Sequence, residues 1–156
     1  MDVTLAWHEV MTASLVGVMR QVASLKDRRN HVAGMDAIGW TEHIEGACGE
    51  AAVAKAIGVY WSSHVNNFTG DDLPGMQIRT RRRHDWDLIV RPSDDDHARW
   101  VLVTGKCPAY CVRGWIFGRD AKRDEWLRDH GDRPPAYFVP ASALRDMSEL
   151  EARDGR

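Results

Sequence analysis

The stretch that most limits what this chain can fold into is "TEHIEGACGEAAVAKAIG", Thr41 to Gly58. Thr41 can cap a helix there and Gly58 can stop it. The residues between are rich in Ala and Gly and apolar on most sides, and a helix of that kind is buried and closely packed. Glu50 interrupts it. Steps of three and four place Glu50 in line with Gly46, Val53 and Ile57, so a carboxylate lies on a packed surface. It needs a partner there, or its pKa must rise.

The elements around this helix follow from hydrophobic spacing. Trp7, Met11, Leu15, Val18, Val22 and Leu25 recur at steps of four and three, which predicts an amphipathic helix over about residues 3–25. "KDRRNHVAG" breaks the pattern with charge and glycine, predicting a loop over about 26–40. After Gly58 comes a segment dense in Ser, Asn, Gly and Asp, which reads as a loop. Strands are expected at Met76–Thr80, Asp87–Arg91, Trp100–Thr104, Val112–Phe117 and Tyr137–Val139. "RDAKRDEWLRDH" reads as a short exposed helix or helical turn, and "PASALRDMSEL" as a closing helix. The order predicts an α/β (α+β) fold in a single domain, residues 1–156, with a core over about 41–150.

Charge narrows the partners. A net charge of -2 gives no global attraction to nucleic acid or membrane, so any basic site is local. Arg79, Arg81, Arg82 and Arg83 form such a block, and Asp94, Asp95 and Asp96 an acidic one soon after. Three cysteines cannot close a disulfide framework, and a reducing, cytoplasmic setting is the simpler expectation. No leader peptide is expected from the first residues, and no apolar run approaches the ~20 residues of a membrane span.

The segment "GDDLPGMQIRTRRRHDWDLIV", Gly70 to Val90, holds the residues best suited to chemistry. Gln77 and Arg79 are two apart and face one side of a strand. Asp72 with the Gln77 side-chain oxygen offers hard oxygen ligands for a cation such as Mg²⁺ or Mn²⁺, with Glu50 joining directly or through water. Arg79 would then face a phosphate with its fixed fork of donors. Arg81, Arg82 and Arg83 could follow a nucleic-acid backbone, with His84 and Lys122 beside them. Trp61, Trp86 and Trp115 could stack on bases. The plainer readings stay open. Asp71 and Asp72 also suit a turn, Glu50 an ion pair with an arginine, Gln77 and Arg79 a polar strand face, and the tryptophans a core.

In this order the chain resembles the PD-(D/E)XK nuclease superfamily. "GE" at Gly49–Glu50 is similar to its helix glutamate, "DDLPG" supplies its Asp with Asp72 best placed, and "QIR" at Gln77–Arg79 stands at its acid-x-Lys. From Gly46 onward, "GACGE", "QIRTRRRHDWDLIV", "WVLVTG", "GWIFGRDAKRDEWL" and "PPAYFVPASAL" also resemble small phage and prophage proteins. The resemblance implies a restriction-endonuclease-like mixed sheet flanked by helices. It implies a Mg²⁺- or Mn²⁺-dependent DNA endonuclease acting in the cytoplasm of a bacterial host. Glu50, Asp72, Gln77 and Arg79 would be its catalytic set, and the first three its metal ligands. Gln77 replaces the usual acid, and Arg79, unlike Lys, cannot give up a proton to act as a base. The same features therefore also fit a non-cleaving relative that binds nucleic acid or a host protein as a regulator or inhibitor. One copy or a homodimer would serve either role.

Overall fold

A computed structural model describes residues 1–27, 35–65, 70–129, 131 and 133–151. The chain is α+β. Its elements in order are β1 (Asp2–Thr4), α1 (Trp7–Lys26), α2 (Met35–Ile57), β2 (Met76–Arg81), β3 (Leu88–Val90), β4 (Arg99–Lys106), β5 (Ala109–Phe117), α3 (Gly118–Ala121), β6 (Leu127–Arg128), β7 (Ala136–Val139) and α4 (Ser148–Glu151).

Strands β1, β5, β4 and β2 form a mixed sheet in that order. β1–β5 and β5–β4 run antiparallel, and β4–β2 run parallel. β2 is therefore an edge strand. Residues alternate between faces. Ile78, Val101 and Val103 pack with Cys48, Ala51, Ala52 and Val53 of α2. Trp100, Leu102 and Ile116 pack on the opposite face, against Leu88, Val90 and Val139 of a three-stranded sheet, β3-β7-β6, and Ala121 of α3. Each fully buried Val or Leu here contributes about 1.5–3 kcal/mol.

The Ala- and Gly-rich composition of α2 has a direct structural reason. A Cβ on Gly49 would lie 2.0 Å from Thr80 Oγ1, so α2 presses onto β2. On its other side a Cβ on Gly17 of α1 would lie 2.5 Å from Ile44 Cα. α2 is thus held between a sheet and a helix, and larger side chains would force those layers apart.

Several expectations change. The N-terminal helix, expected from about residue 3, begins at Trp7, because residues 2–4 pair with β5 as β1. α2 starts at Met35, ahead of Thr41, because its first turns run beside α1: a Cβ on Gly39 would meet the Gln21 amide at 2.6 Å. Residues 28–34 of the expected loop lie outside the described residues. A further change concerns the face that α1 buries. Its large apolar stripe is exposed, and the side it buries carries Ala13, Val16, Gly17, Gln21 and Ser24. A crossing as close as that at Gly17 admits small residues only.

Of the two forms open to "RDAKRDEWLRDH", the structure has the helical turn, α3, which begins one residue earlier at Gly118 and is followed by a 3₁₀ turn at Asp124–Trp126. Likewise "PASALRDMSEL" divides into a 3₁₀ turn at Ala141–Ala143 and the short α4. Between them, Arg145 exchanges backbone hydrogen bonds with Trp115 of β5, at 3.0 and 2.8 Å. Pairing with the sheet competes with helix there and prevails. No helix among the described residues is long and apolar enough to cross a membrane.

Candidate functional site

Glu50 projects from α2 toward α1 and is buried. Arg20 of α1 grips it with both terminal nitrogens: Nη1 donates to Oε1 at 2.5 Å and Nη2 to Oε2 at 2.8 Å. Trp61 Nε1 donates to Oε2 at 3.1 Å. Arg20 Nε also donates to the carbonyl of His64 at 2.8 Å. One guanidinium therefore ties together two helices and the segment that leaves the second. Burial works against its charge, but the Glu50 hydrogen bonds and charge prevail and raise its pKa. The ion pair foreseen for Glu50 is present, and Arg20 is the partner.

Asp72 sits in the turn that leads into β2, where its amide donates to the Met76 carbonyl at 3.1 Å. Its Oδ2 accepts from the Ile78 N–H at 2.7 Å. That N–H lies on the edge of β2 facing away from β4, so the carboxylate caps the unpaired edge of the sheet. Burial pushes its pKa up to about 6, and the charge of Glu50 adds to the effect, against the Ile78 hydrogen bond, Arg79 and Arg20. Asp71 behaves as a turn acid. It is exposed, accepting from the Gly75 N–H at 3.0 Å and from Gln77 Nε2 at 3.2 Å.

Gln77 and Arg79 leave β2 on the face opposite Glu50, in register with Trp100 and Leu102. Gln77 Nε2 also donates to the Gly70 carbonyl at 3.3 Å. The Arg79 guanidinium lies over the Trp100 ring, 4.3 Å from its centroid, and 3.5 Å from Asp94. Burial lowers its pKa, with Asp94 and then Asp72 acting in the other direction. The structure thus brings Glu50 and Asp72 into each other's field and places Gln77 and Arg79 across the sheet from Glu50.

Most of this donor set is engaged within the chain. Both oxygens of Glu50 are occupied by Arg20, one oxygen of Asp72 by Ile78, and the Gln77 amide is turned to Gly70 and Asp71. Among the described residues no group of three or more His, Cys, Asp or Glu side chains is placed to hold a metal ion.

The arginine block lies at the far end of β2. Arg81 stands over the Trp86 ring at 4.6 Å and Arg83 at 5.9 Å. Trp86, Arg82 and Arg83 are exposed, and Arg81 is half-buried. Arg83 chelates Asp85 at 2.9 and 2.8 Å. His84 Nδ1 shares a 2.9 Å hydrogen bond with Thr104 Oγ1, pinning this turn to β4. Lys122 stands apart from the block. Its ammonium donates to the carbonyls of Pro92 and Asp94 and to Asp96 Oδ1, at 2.9, 2.6 and 2.5 Å, and so holds the acidic loop together. Of the three tryptophans that could stack on bases or pack in the core, Trp115 is core, Trp61 serves Glu50 and Trp86 is open.

Two partners escaped the sequence reading, Arg20 and Asp94. A faint signal marks the first: Arg20 is the one charged residue in α1 between Glu9 and Lys26. Asp94 lay within an acid run with nothing to single it out. Comparison of the chain with protein-family models, with curated proteins and with solved structures finds no match.

Proposed function

We propose that this chain binds DNA without cleaving it, as a relative of the nuclease-like phage and prophage proteins in which the carboxylates have become structural. The observation that carries this reading is exposed Trp86 at the end of an edge strand, with the guanidinium groups of half-buried Arg81 and exposed Arg83 over its ring and Arg82 open beside it. An aromatic face between guanidinium groups offers stacking for a base and charge for phosphates. The internal use of Glu50 by Arg20 agrees with it, since a bidentate buried pair satisfies the acid without a metal ion.

The test is fluorescence anisotropy with labelled single-stranded and duplex DNA, in EDTA and in Mg²⁺, across a salt series. Binding that is equal with and without Mg²⁺ and weakens steeply with salt is expected. No binding at low salt would refute the proposal, as would plasmid cleavage that disappears in Asp72→Ala.

A second reading, Mg²⁺- or Mn²⁺-dependent phosphodiester hydrolysis, is favoured by one observation. Two carboxylates, buried Glu50 from α2 and half-buried Asp72 from the turn before β2, lie within each other's field, and the pKa of Asp72 is pushed to about 6. Perturbed acids of this kind concentrate at functional sites. Calorimetry decides it. Uptake of Mn²⁺ that is lost in Glu50→Gln, with metal-dependent nicking of plasmid, would establish hydrolysis in place of simple binding. No uptake removes it.

A further inference from the structure

The outward face of α1 is built unlike a solvated helix surface. Between Met11 and Leu25 the exposed residues are Met11, Thr12, Leu15, Met19, Val22 and Leu25. Thr12 is the one polar member, and its hydroxyl already donates to the His8 carbonyl at 2.9 Å. Between the helix's first turn and the exposed Lys26 at its end, the one charge, Arg20, is turned to Glu50, and Glu9 in the first turn pairs with Lys55 at 2.6 Å. No ionic group therefore interrupts this face for four helical turns.

We infer that α1 is the contact surface for a second copy of this chain, which lays its own α1 against the first along Met11, Leu15, Val18, Val22 and Leu25, with Trp7 and Met19 covered at the margins of the seam. Three features select that occupant. The first is spacing. These five residues follow steps of four, three, four and three over two heptads, the repeat that keeps an apolar seam facing another helix. The second is area. Trp7, Met11, Leu15, Met19, Val22 and Leu25 are exposed by 78, 62, 59, 55, 43 and 40%. That corresponds to roughly 700 Å² of side chain, near the ~800 Å² each partner gives to a standard interface and beyond the apolar patch usual on a monomer. Ile38 and Trp40 on the adjoining part of α2 are exposed as well.

The third feature is charge. A helix that lies on a lipid surface carries Lys or Arg along its polar side, whereas the open face of α1 has no free cation between Met11 and Leu25. A partner must match an uncharged apolar stripe, and an isologous contact satisfies this automatically, because each copy brings the same patch. The layer order permits it. α1 is the outermost layer, beyond α2 and the sheet, so two α1–α2 pairs can meet as a four-helix arrangement without moving either core.

The test uses the full chain. Sedimentation equilibrium at about 100 μM should give twice the 17.7 kDa of one chain, since a Kd near 1 μM would hold it almost wholly dimeric. Leu15→Glu with Met19→Glu should give monomers with an unchanged circular dichroism spectrum, because both positions point to solvent in the single chain. As a second readout, Leu15→Cys should form an intermolecular disulfide on oxidation at a rate that rises with protein concentration. Wild-type protein that stays monomeric at about 100 μM overturns the inference. So does a dimer that persists in the double variant, or a monomer that floats with phosphatidylcholine vesicles.

Discussion

Arg20 and Glu50, thirty positions apart, join α1 to α2 through two parallel hydrogen bonds of 2.5 and 2.8 Å. The pair is largely buried, with side-chain exposures of 17 and 7%. Removing one partner of such a pair strands a charge, whereas removing both costs much less.

Arg20→Met should therefore destabilise the chain by about 3–5 kcal/mol, the usual cost of an uncompensated buried charge. Arg20→Met combined with Glu50→Gln should recover most of that loss. Urea unfolding of the four proteins, treated as a double-mutant cycle, measures the coupling. Equal losses in the single and double variants would mean that the pair does not hold the two helices.

Two helix glycines, Gly17 pressed onto α2 and Gly46 of α2 with open space beside it, make an opposed pair of predictions. Gly17→Ala would drive a methyl group into the backbone at Ile44, 2.5 Å away, and should cost about 1–3 kcal/mol as α1 is pushed off α2. Gly46→Ala meets nothing within 4 Å and should gain about 0.5–1 kcal/mol from helix propensity alone. Thermal unfolding of both variants checks this, the midpoint falling for the first and rising for the second.

The same glycines explain what could be read in the sequence and what could not. The composition of Thr41–Gly58 announced a buried helix, and alternation found β2 to β5 and β7, because both signals are local. The outward turn of the α1 stripe was hidden. Periodicity reveals that a helix has an apolar face, but Gly17 and Ala13 determine which face can approach α2, and that depends on Ile44 and His43 across the interface. The site was legible in the same measure. Glu50 and Asp72 were found together because one rides a marked helix and the other a marked turn. Arg20 was not, since its role arises only when α1 is laid on α2. Gln77 and Arg79 were correctly placed on one side of β2, but the sequence does not say which side Glu50 approaches.

Asp72 sets a pH dependence whose sign follows from its raised pKa. The unfolded chain ionises this carboxyl near 3.9, the folded chain near about 6. Between those values the native state holds the extra proton. The stability it contributes is full below about pH 4 and is lost as pH rises through about 6. Asp72→Asn keeps an oxygen for the Ile78 N–H and has no charge to bury. Its stability should exceed that of the wild type by about 1–2 kcal/mol at pH 7–8, a figure reduced because the residue is only half-buried, and the gap should close by pH 4. Urea midpoints from pH 4 to 8 give the comparison. A gap that is constant over this range would mean Asp72 titrates as in the unfolded chain.

The arginine block gives the last prediction, which separates charge from stacking in the proposed DNA contact. Arg82 is exposed, and among the described residues no ion pair of its own is seen, so its role would be phosphate contact alone. Arg82→Ala should weaken single-stranded and duplex DNA alike and reduce the slope of log K against log salt by about 0.7–0.9 for the one contact removed. Trp86 offers a ring face, which a stacked duplex cannot reach without unstacking. Trp86→Ala should cost single-stranded DNA about 1–3 kcal/mol and leave the salt slope nearly unchanged. It would also free Arg81 and Arg83 from the ring they flank, so duplex affinity should change little. Anisotropy titrations of both variants at three salt concentrations distinguish the two terms. If Arg82→Ala leaves the slope intact and Trp86→Ala leaves single-strand affinity intact, the exposed end of β2 is not where DNA binds.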